Sequence, residues 1–207
     1  MNTFGSDLWY RPQITSYTVK RIAIFASGSG SNAEKIADYF RGNPEISIEL
    51  ILCNNPNAGV IERAKRLGIA LQLFDREQFR NGWVLNLLQE KQIDWVILAG
   101  FLWLIPKAIV AAFPNKIVNL HPALLPKFGG KGMYGHFVHE AVVAAGETES
   151  GITIHFVNEH YDEGNVIFQA AFSVEPTDTP EDIARKGQIL EHAHFPRVIE
   201  GLISPLQ

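Results

Sequence analysis

A single cysteine, Cys53, stands in the 207 residues. It excludes an intrachain disulfide, and its place in an apolar run reads as a buried, inert thiol in a reducing, cytoplasmic setting. No run approaches the roughly 18 consecutive apolar residues that span a bilayer, so no membrane partner is expected. Excess positive charge is missing too: 18 Lys and Arg against 22 Asp and Glu leave a formal net charge of −4, which offers no global attraction to a polyanion and argues against nucleic acid as a partner. The chain has no internal repeat and no low-complexity block. Residues 1–20 lack the apolar core of a signal peptide and read as a leader without an assigned role. Residues 21–207 read as one domain, since 46% hydrophobic content suffices for one good core.

What is present alternates. Arg21 to Ser27 is a short apolar strand, and Asn32 to Arg41 has helical spacing with Ile36, Ala37 and Phe40 on one side. Ile46 to Cys53 and Ile69 to Phe74 repeat the strand signal around a helix from Val60 to Leu67 closed by Gly68. Arg76 to Lys91 reads as a longer amphipathic segment before a buried strand from Asp94 to Gly100. Pro106 opens a short helix at its first position, and Lys116 to Leu120 is the next strand. Strands alternating with helices predict an α/β fold: a single-domain, doubly wound, mostly parallel twisted sheet, Rossmann-like in its amino-terminal half, with helices on both faces. Pro122 to Gly135 is a loop too rich in glycine for an element. A helix from His136, two β runs (Ile152 to Val157 and Val166 to Val174) and a long helix from Pro180 to Leu202 complete the pattern.

The densest chemistry is Asn119-Leu120-His121-Pro122 with Asp162. Asn119 and His121 are two apart in an extended run, so their side chains share a face at the carboxyl end of a strand, where open α/β sheets bind ligands. An uncharged donor, a titratable imidazole and a carboxylate to set its charge suit acyl transfer through an oxyanion. A histidine at a strand end is also commonly structural, and Tyr161-Asp-Glu-Gly164 is good turn chemistry in its own right. Gly28-Ser-Gly-Ser-Asn32, between strand and helix, places backbone N–H groups at the positive end of a helix dipole, where a phosphate fits; a capped turn is the plainer alternative. The loop carries neither the third glycine of the dinucleotide fingerprint nor the Gly-Lys-Ser/Thr of a Walker loop. The seven histidines form no metal-ligand pattern: His192 and His194 do not share a helix face, and His136 with His139 lacks a third ligand. No serine sits in a nucleophile elbow.

Taken together and in order, Ala26-Ser-Gly-Ser-Gly-Ser-Asn32, Ala99-Gly-Phe101, Asn119-Leu-His-Pro-Ala-Leu-Leu-Pro-Lys127, Gly151-Ile-Thr-Ile-His-Phe-Val157, Asp162 with Gly164, and Glu191-His192 resemble the glycinamide ribonucleotide formyltransferases, folate-dependent enzymes of purine synthesis. The resemblance runs from Arg21 to about Leu202. It implies that Gly30, Ser31 and Asn32 hold the phosphate of the substrate and that Gln188 and Glu191 hold its ribose. It implies that Leu102, Trp103, Leu104 and Ile105, with Asn158, Glu159, His160 and Tyr161, wall the co-substrate 10-formyltetrahydrofolate, backbone groups meeting the pterin edge. Asn119, protonated His121 and Asp162 would be catalytic, His155 a possible accessory near the reacting centre, and small molecules the only partners, with no metal.

The chain departs from that pattern in places. Trp103 stands where many relatives carry arginine, Ala123 where serine is common, and Glu163 where glycine is frequent. Related formyltransferases acting on methionyl-tRNA or an amino sugar share the Asn, His, Asp chemistry, but a tRNA enzyme calls for a further domain and a basic surface. A formyltetrahydrofolate hydrolase calls for an amino-terminal regulatory domain. A non-catalytic nucleotide-binding module, with His121 structural, is the alternative from a different class.

Overall fold

In the computed structural model, residues 18–204 are described. Along the chain they form β1 (Lys20–Ala26), α1 (Ser31–Tyr39), β2 (Ile46–Cys53), α2 (Val60–Leu67), β3 (Leu71–Leu73), α3 (Arg76–Arg80), α4 (Trp83–Glu90), β4 (Trp95–Leu98), α5 (Lys107–Ala112), β5 (Ile117–His121), α6 (His136–Ala144), β6 (Glu149–Phe156), β7 (Val166–Ser173) and α7 (Pro180–Ile203). The seven strands make one sheet in the order β3-β2-β1-β4-β5-β6-β7. β1 to β5 run parallel, whereas β6 and β7 are antiparallel additions on the β5 edge. The expected leader lies outside the described residues except for 18–20, and Lys20 already belongs to β1.

Period-two alternation sorts the core to the two sheet faces. Ile22, Ile24 and Ala26 pack on one face with Ile36 of α1 and Phe195 and Ile199 of α7. Ala23 and Phe25 pack on the other with Phe79 of α3, Val84 and Leu88 of α4, and Ile109 of α5. Cys53 is fully buried, and burial pushes its thiol pKa up, as an inert structural cysteine requires.

Two expected boundaries shift for local reasons. The segment from Arg76 to Lys91 is two helices, because Asn81 ends the first and Gly82 adopts φ 91°, a left-handed turn that no helix continues through. Asp75 caps α3 with a reciprocal box to Gln78, which makes that five-residue helix self-contained. Pro106 is the residue before α5 rather than its first, since its ψ of 142° is extended.

The strand order reverses between β1 and β4, so their carboxyl ends diverge into a crevice. The segments leaving β1, β4 and β5 all open onto it.

Candidate active site

That crevice is a cavity of about 1250 Å³. Its floor is Asn119 and His121, on the face of β5 opposite Val118 and Leu120. Antiparallel register sets Asn119 opposite His155 and His121 opposite Thr153, so four polar side chains form a patch on one face while Ile152 and Ile154 serve the core on the other.

At one end, Gly28 to Asn32 carries the chain from β1 into α1. Gly30 has φ 77°, and an added Cβ would come within 2.5 Å of Val60, so the turn can close only on glycine. The resulting helix terminus is tied to α7 twice: Gln188 Nε2 donates to Ser31 Oγ at 3.2 Å, and Asn32 Nδ2 donates to Glu191 Oε2 at 2.6 Å. All five of Gly30, Ser31, Asn32, Gln188 and Glu191 line the cavity. Burial pushes the Glu191 carboxyl pKa up, with the Asn32 hydrogen bond opposing it. Arg63 braces the loop from behind by donating to the Ser29 carbonyl at 2.8 Å while pairing with Glu34. Nothing in the sequence singles out this arginine, because the contact spans 34 residues between α2 and the loop after β1.

In the middle sits an acid between two imidazoles. Asp162 Oδ2 is 3.5 Å from His121 Nδ1, and its Oδ1 is 3.6 Å from His155 Nε2. The Gly130 N–H donates to Asp162 Oδ2 at 2.9 Å, so the glycine-rich loop is fastened over the acid. Burial by itself would raise the pKa of Asp162, but its polar surroundings, the Gly130 N–H donating to it among them, outweigh that and hold the carboxyl below its ordinary value. Asp162 is therefore ionised at neutral pH. His121 goes the other way from the expectation of a protonated ring: burial, at 3% exposure, lowers its pKa despite the pull of Asp162 and of the Phe128 carbonyl. The resting imidazole is neutral. Its Nε2 lies 2.8 Å from the Phe128 carbonyl, which only accepts, so Nε2 carries the hydrogen and Nδ1 turns a lone pair toward the acid.

At the far end, Leu102, Trp103, Leu104 and Ile105 line one wall, and Glu159, His160 and Tyr161 the other. Asn158 does not line the cavity; its side chain accepts from the His160 N–H at 2.9 Å and shapes the turn instead. The backbone is also less open than expected. The Leu102 N–H donates to Ser27 Oγ and the Leu104 N–H to the Tyr161 hydroxyl, both at 3.2 Å, so these two donors are already engaged within the protein. Trp103 packs edge-to-face with Phe74 and Phe101 and tilted against Phe79, and the Arg76 guanidinium sits 4.6 Å above its ring. A cation thus returns to the rim from α3.

His139 lines the cavity at 8% exposure with no partner for Nδ1 among the described residues, and burial lowers its pKa. In the sequence it stands out only as half of an incomplete metal pair. No group of three or more His, Cys, Asp or Glu among the described residues is placed to hold a metal ion.

Known proteins match the chain along nearly all of the described residues. The family model described as formyl transferase matches residues 20–199. The chloroplastic phosphoribosylglycinamide formyltransferase of Arabidopsis thaliana is 41% identical over 190 residues, 88% of this chain and 65% of that protein. The phosphoribosylglycinamide formyltransferase of Bacillus subtilis is 35% identical over 191 residues, 89% of this chain and 95% of that protein. The crystal structure of the phosphoribosylglycinamide formyltransferase from Bacillus halodurans superposes with a TM-score of 0.83 at 37% identity, covering 91% of this chain and 97% of that one. The chain spans 65% and 61% of the length of the two plant relatives.

Proposed function

The chain belongs to the formyl transferase family, and from that premise we propose that it moves the formyl group of 10-formyltetrahydrofolate to the amine of glycinamide ribonucleotide. The observation that carries this reading is the placement of Asp162 and His121 3.5 Å apart beside Asn119, midway between a helix terminus and an apolar wall. Phosphate meets Gly30, Ser31 and Asn32, the ribose hydroxyls meet Gln188 and Glu191, and the folate lies between Leu102 to Ile105 and Glu159 to Tyr161. The two ends of the cavity thereby bring amine and formyl carbon together over β5.

Attack forms a bond from the amine nitrogen to the formyl carbon and puts negative charge on the formyl oxygen. Asn119 donates to that oxygen. His121 Nε2–H, resting on a neutral carbonyl, is drawn to the oxyanion, because a charge-assisted hydrogen bond is roughly twice as strong. The proton that the amine sheds, taken up by Asp162, is shared with Nδ1 while the charge stands on oxygen, so that Asp162 stabilises the imidazolium until collapse. A donor of this kind is typically worth about 2.7–4 kcal/mol. Collapse breaks the bond to N10, and the proton lost by the amine reaches N10 with Asp162 as the base at hand.

The test is a coupled assay offering purified protein 10-formyltetrahydrofolate with glycinamide ribonucleotide, amino sugars and charged tRNA in parallel. Turnover with glycinamide ribonucleotide alone is expected. Turnover with another amine, or with water only, sinks this assignment, and binding without turnover leaves the nucleotide-binding module. No helix among the described residues is long and apolar enough to cross a membrane. Small water-soluble substrates and a cytoplasmic location fit this reading, although the names of two plant relatives place those proteins in chloroplasts.

A further inference from the structure

We propose that His155 is a positioning residue, locked in one tautomer by the Phe156 carbonyl, whose Nε2 fixes the carboxamide of Asn119 so that one amide N–H is left for the oxyanion. The proposal rests on the formyl-transfer reading and deepens it. His155 Nδ1 lies 2.8 Å from the Phe156 carbonyl oxygen, and a carbonyl cannot donate, so Nδ1 bears the hydrogen. With the ring hydrogen on Nδ1, Nε2 is left as an acceptor. Asn119 Nδ2 approaches it at 3.0 Å, and only the amino end of the carboxamide satisfies an acceptor there. A flipped Asn119 would set its oxygen against a lone pair. The tautomer of one residue therefore decides which atoms of the other face the cavity.

Three features keep this arrangement from relaxing. His155 is 2% exposed, so its two hydrogen bonds are largely shielded from water. An added Cβ on Gly164 would collide with the Phe156 oxygen, so the backbone after Asp162 is pressed onto the carbonyl that sets the tautomer. The pairing of β6 with β7 shifts between Ile154 and His155, an irregularity of the kind that re-aims a side chain. Asp162 Oδ1, 3.6 Å from Nε2, is too distant to be hydrogen-bonded to it, and the Asn119 N–H is what satisfies the lone pair that Nε2 turns toward the acid. Asn119 has no other side-chain hydrogen bond among the described residues, so its second amide hydrogen remains available where it lines the cavity.

The variants His155→Gln, His155→Asn, His155→Leu, Asn119→Ala and Asn119→Ala with His155→Leu separate positioning from structure. Glutamine places an amide oxygen where Nε2 stood, asparagine only where Nδ1 stood. His155→Leu should lower kcat by about ten- to a hundredfold with KM little changed, part of the 10²–10³ that losing a whole oxyanion donor typically costs. His155→Gln should recover most of that loss and His155→Asn should not. In the Asn119→Ala background His155→Leu should cost nothing further. Equal losses in both backgrounds, an unchanged kcat in His155→Leu, or rescue by asparagine in place of glutamine would overturn the proposal. Nitrogen NMR of imidazole-labelled wild-type protein reads the tautomer without any need for turnover: a hydrogen on Nδ1 supports the positioning role, and a hydrogen on Nε2 defeats it even in an active enzyme. Failure of the wild type to formylate glycinamide ribonucleotide strikes the activity assignment instead.

Discussion

At the scale of the residue, what decides the chemistry is how much water each group has lost. Two residues of one strand, Asn119 and His121, together with a loop carboxylate, are legible in the sequence as a unit because period-two spacing puts the first two on one face and turn chemistry marks the third. The charge of His121 is not legible there, since it depends on burial to 3% exposure outweighing a carboxylate 3.5 Å away. The Phe128 carbonyl on Nε2 is hidden for a different reason: main-chain atoms carry no sequence signal. Because the resting ring is neutral, its worth lies in receiving charge rather than in holding substrate. His121→Ala should therefore cut kcat by at least about 10² while calorimetry finds the affinity for glycinamide ribonucleotide within experimental error. A variant that loses affinity and keeps kcat would make His121 a binding residue.

At the scale of the element, the site depends on two joints. One is the seam between α1 and α7, where Asn32 and Glu191 meet at 2.6 Å although 159 positions separate them. The helix terminus at Gly28 to Asn32 can be read from glycine and serine between strand and helix; its partner on α7 comes only with a family resemblance, because no local pattern marks a long-range hydrogen bond. Asn32→Asp would place a carboxylate against a buried one whose pKa is already raised, and would face any bound phosphate with like charge. Affinity for glycinamide ribonucleotide should fall at least tenfold, about 1.4 kcal/mol. Adding Glu191→Gln should return part of it, since the amide can donate to the new acid; titration calorimetry of the single and double variants checks both, and an additive loss refutes the joint. The other joint is the loop from Asp162 to Gly164 on β6. Gly164→Ala forces a methyl into the Phe156 carbonyl, a contact with backbone that cannot rotate away. Destabilisation at or beyond the roughly 3 kcal/mol upper end of ordinary overpacking is expected in urea titrations. A neutral result would mean the loop sits elsewhere in solution.

At the scale of the molecule, sheet order gathers the site and core burial sets its charges. Alternating strand and helix signals predict the parallel half directly, and the reversal between β1 and β4 follows from that topology. The break within Arg76 to Lys91 escapes the pattern, since amphipathic periodicity continues across Asn81-Gly82 while the backbone does not. The same packing that builds the cavity lowers three imidazole pKa values by burial: His121, His139 beside His136 and His121, and His192 beside Lys35 and Arg63, with Glu34 opposing. An unfolded chain regains ordinary histidines, so it binds more protons than the fold as pH falls through the usual imidazole value of 6.5. Stability from these groups is therefore complete above that value and is lost on acidification toward their folded pKa values, at no more than about 1.4 kcal/mol per pH unit for each. Glu191 has the opposite sign, since its raised pKa relieves a penalty as pH falls toward the ordinary carboxylate range. Thermal unfolding followed between about pH 7.5 and 5.5, either side of the usual imidazole value, should show Tm falling with pH. His139→Gln and His192→Gln should each make that slope shallower whatever they do to Tm itself, and a slope unchanged in both would show that acid sensitivity arises elsewhere than in the buried imidazoles.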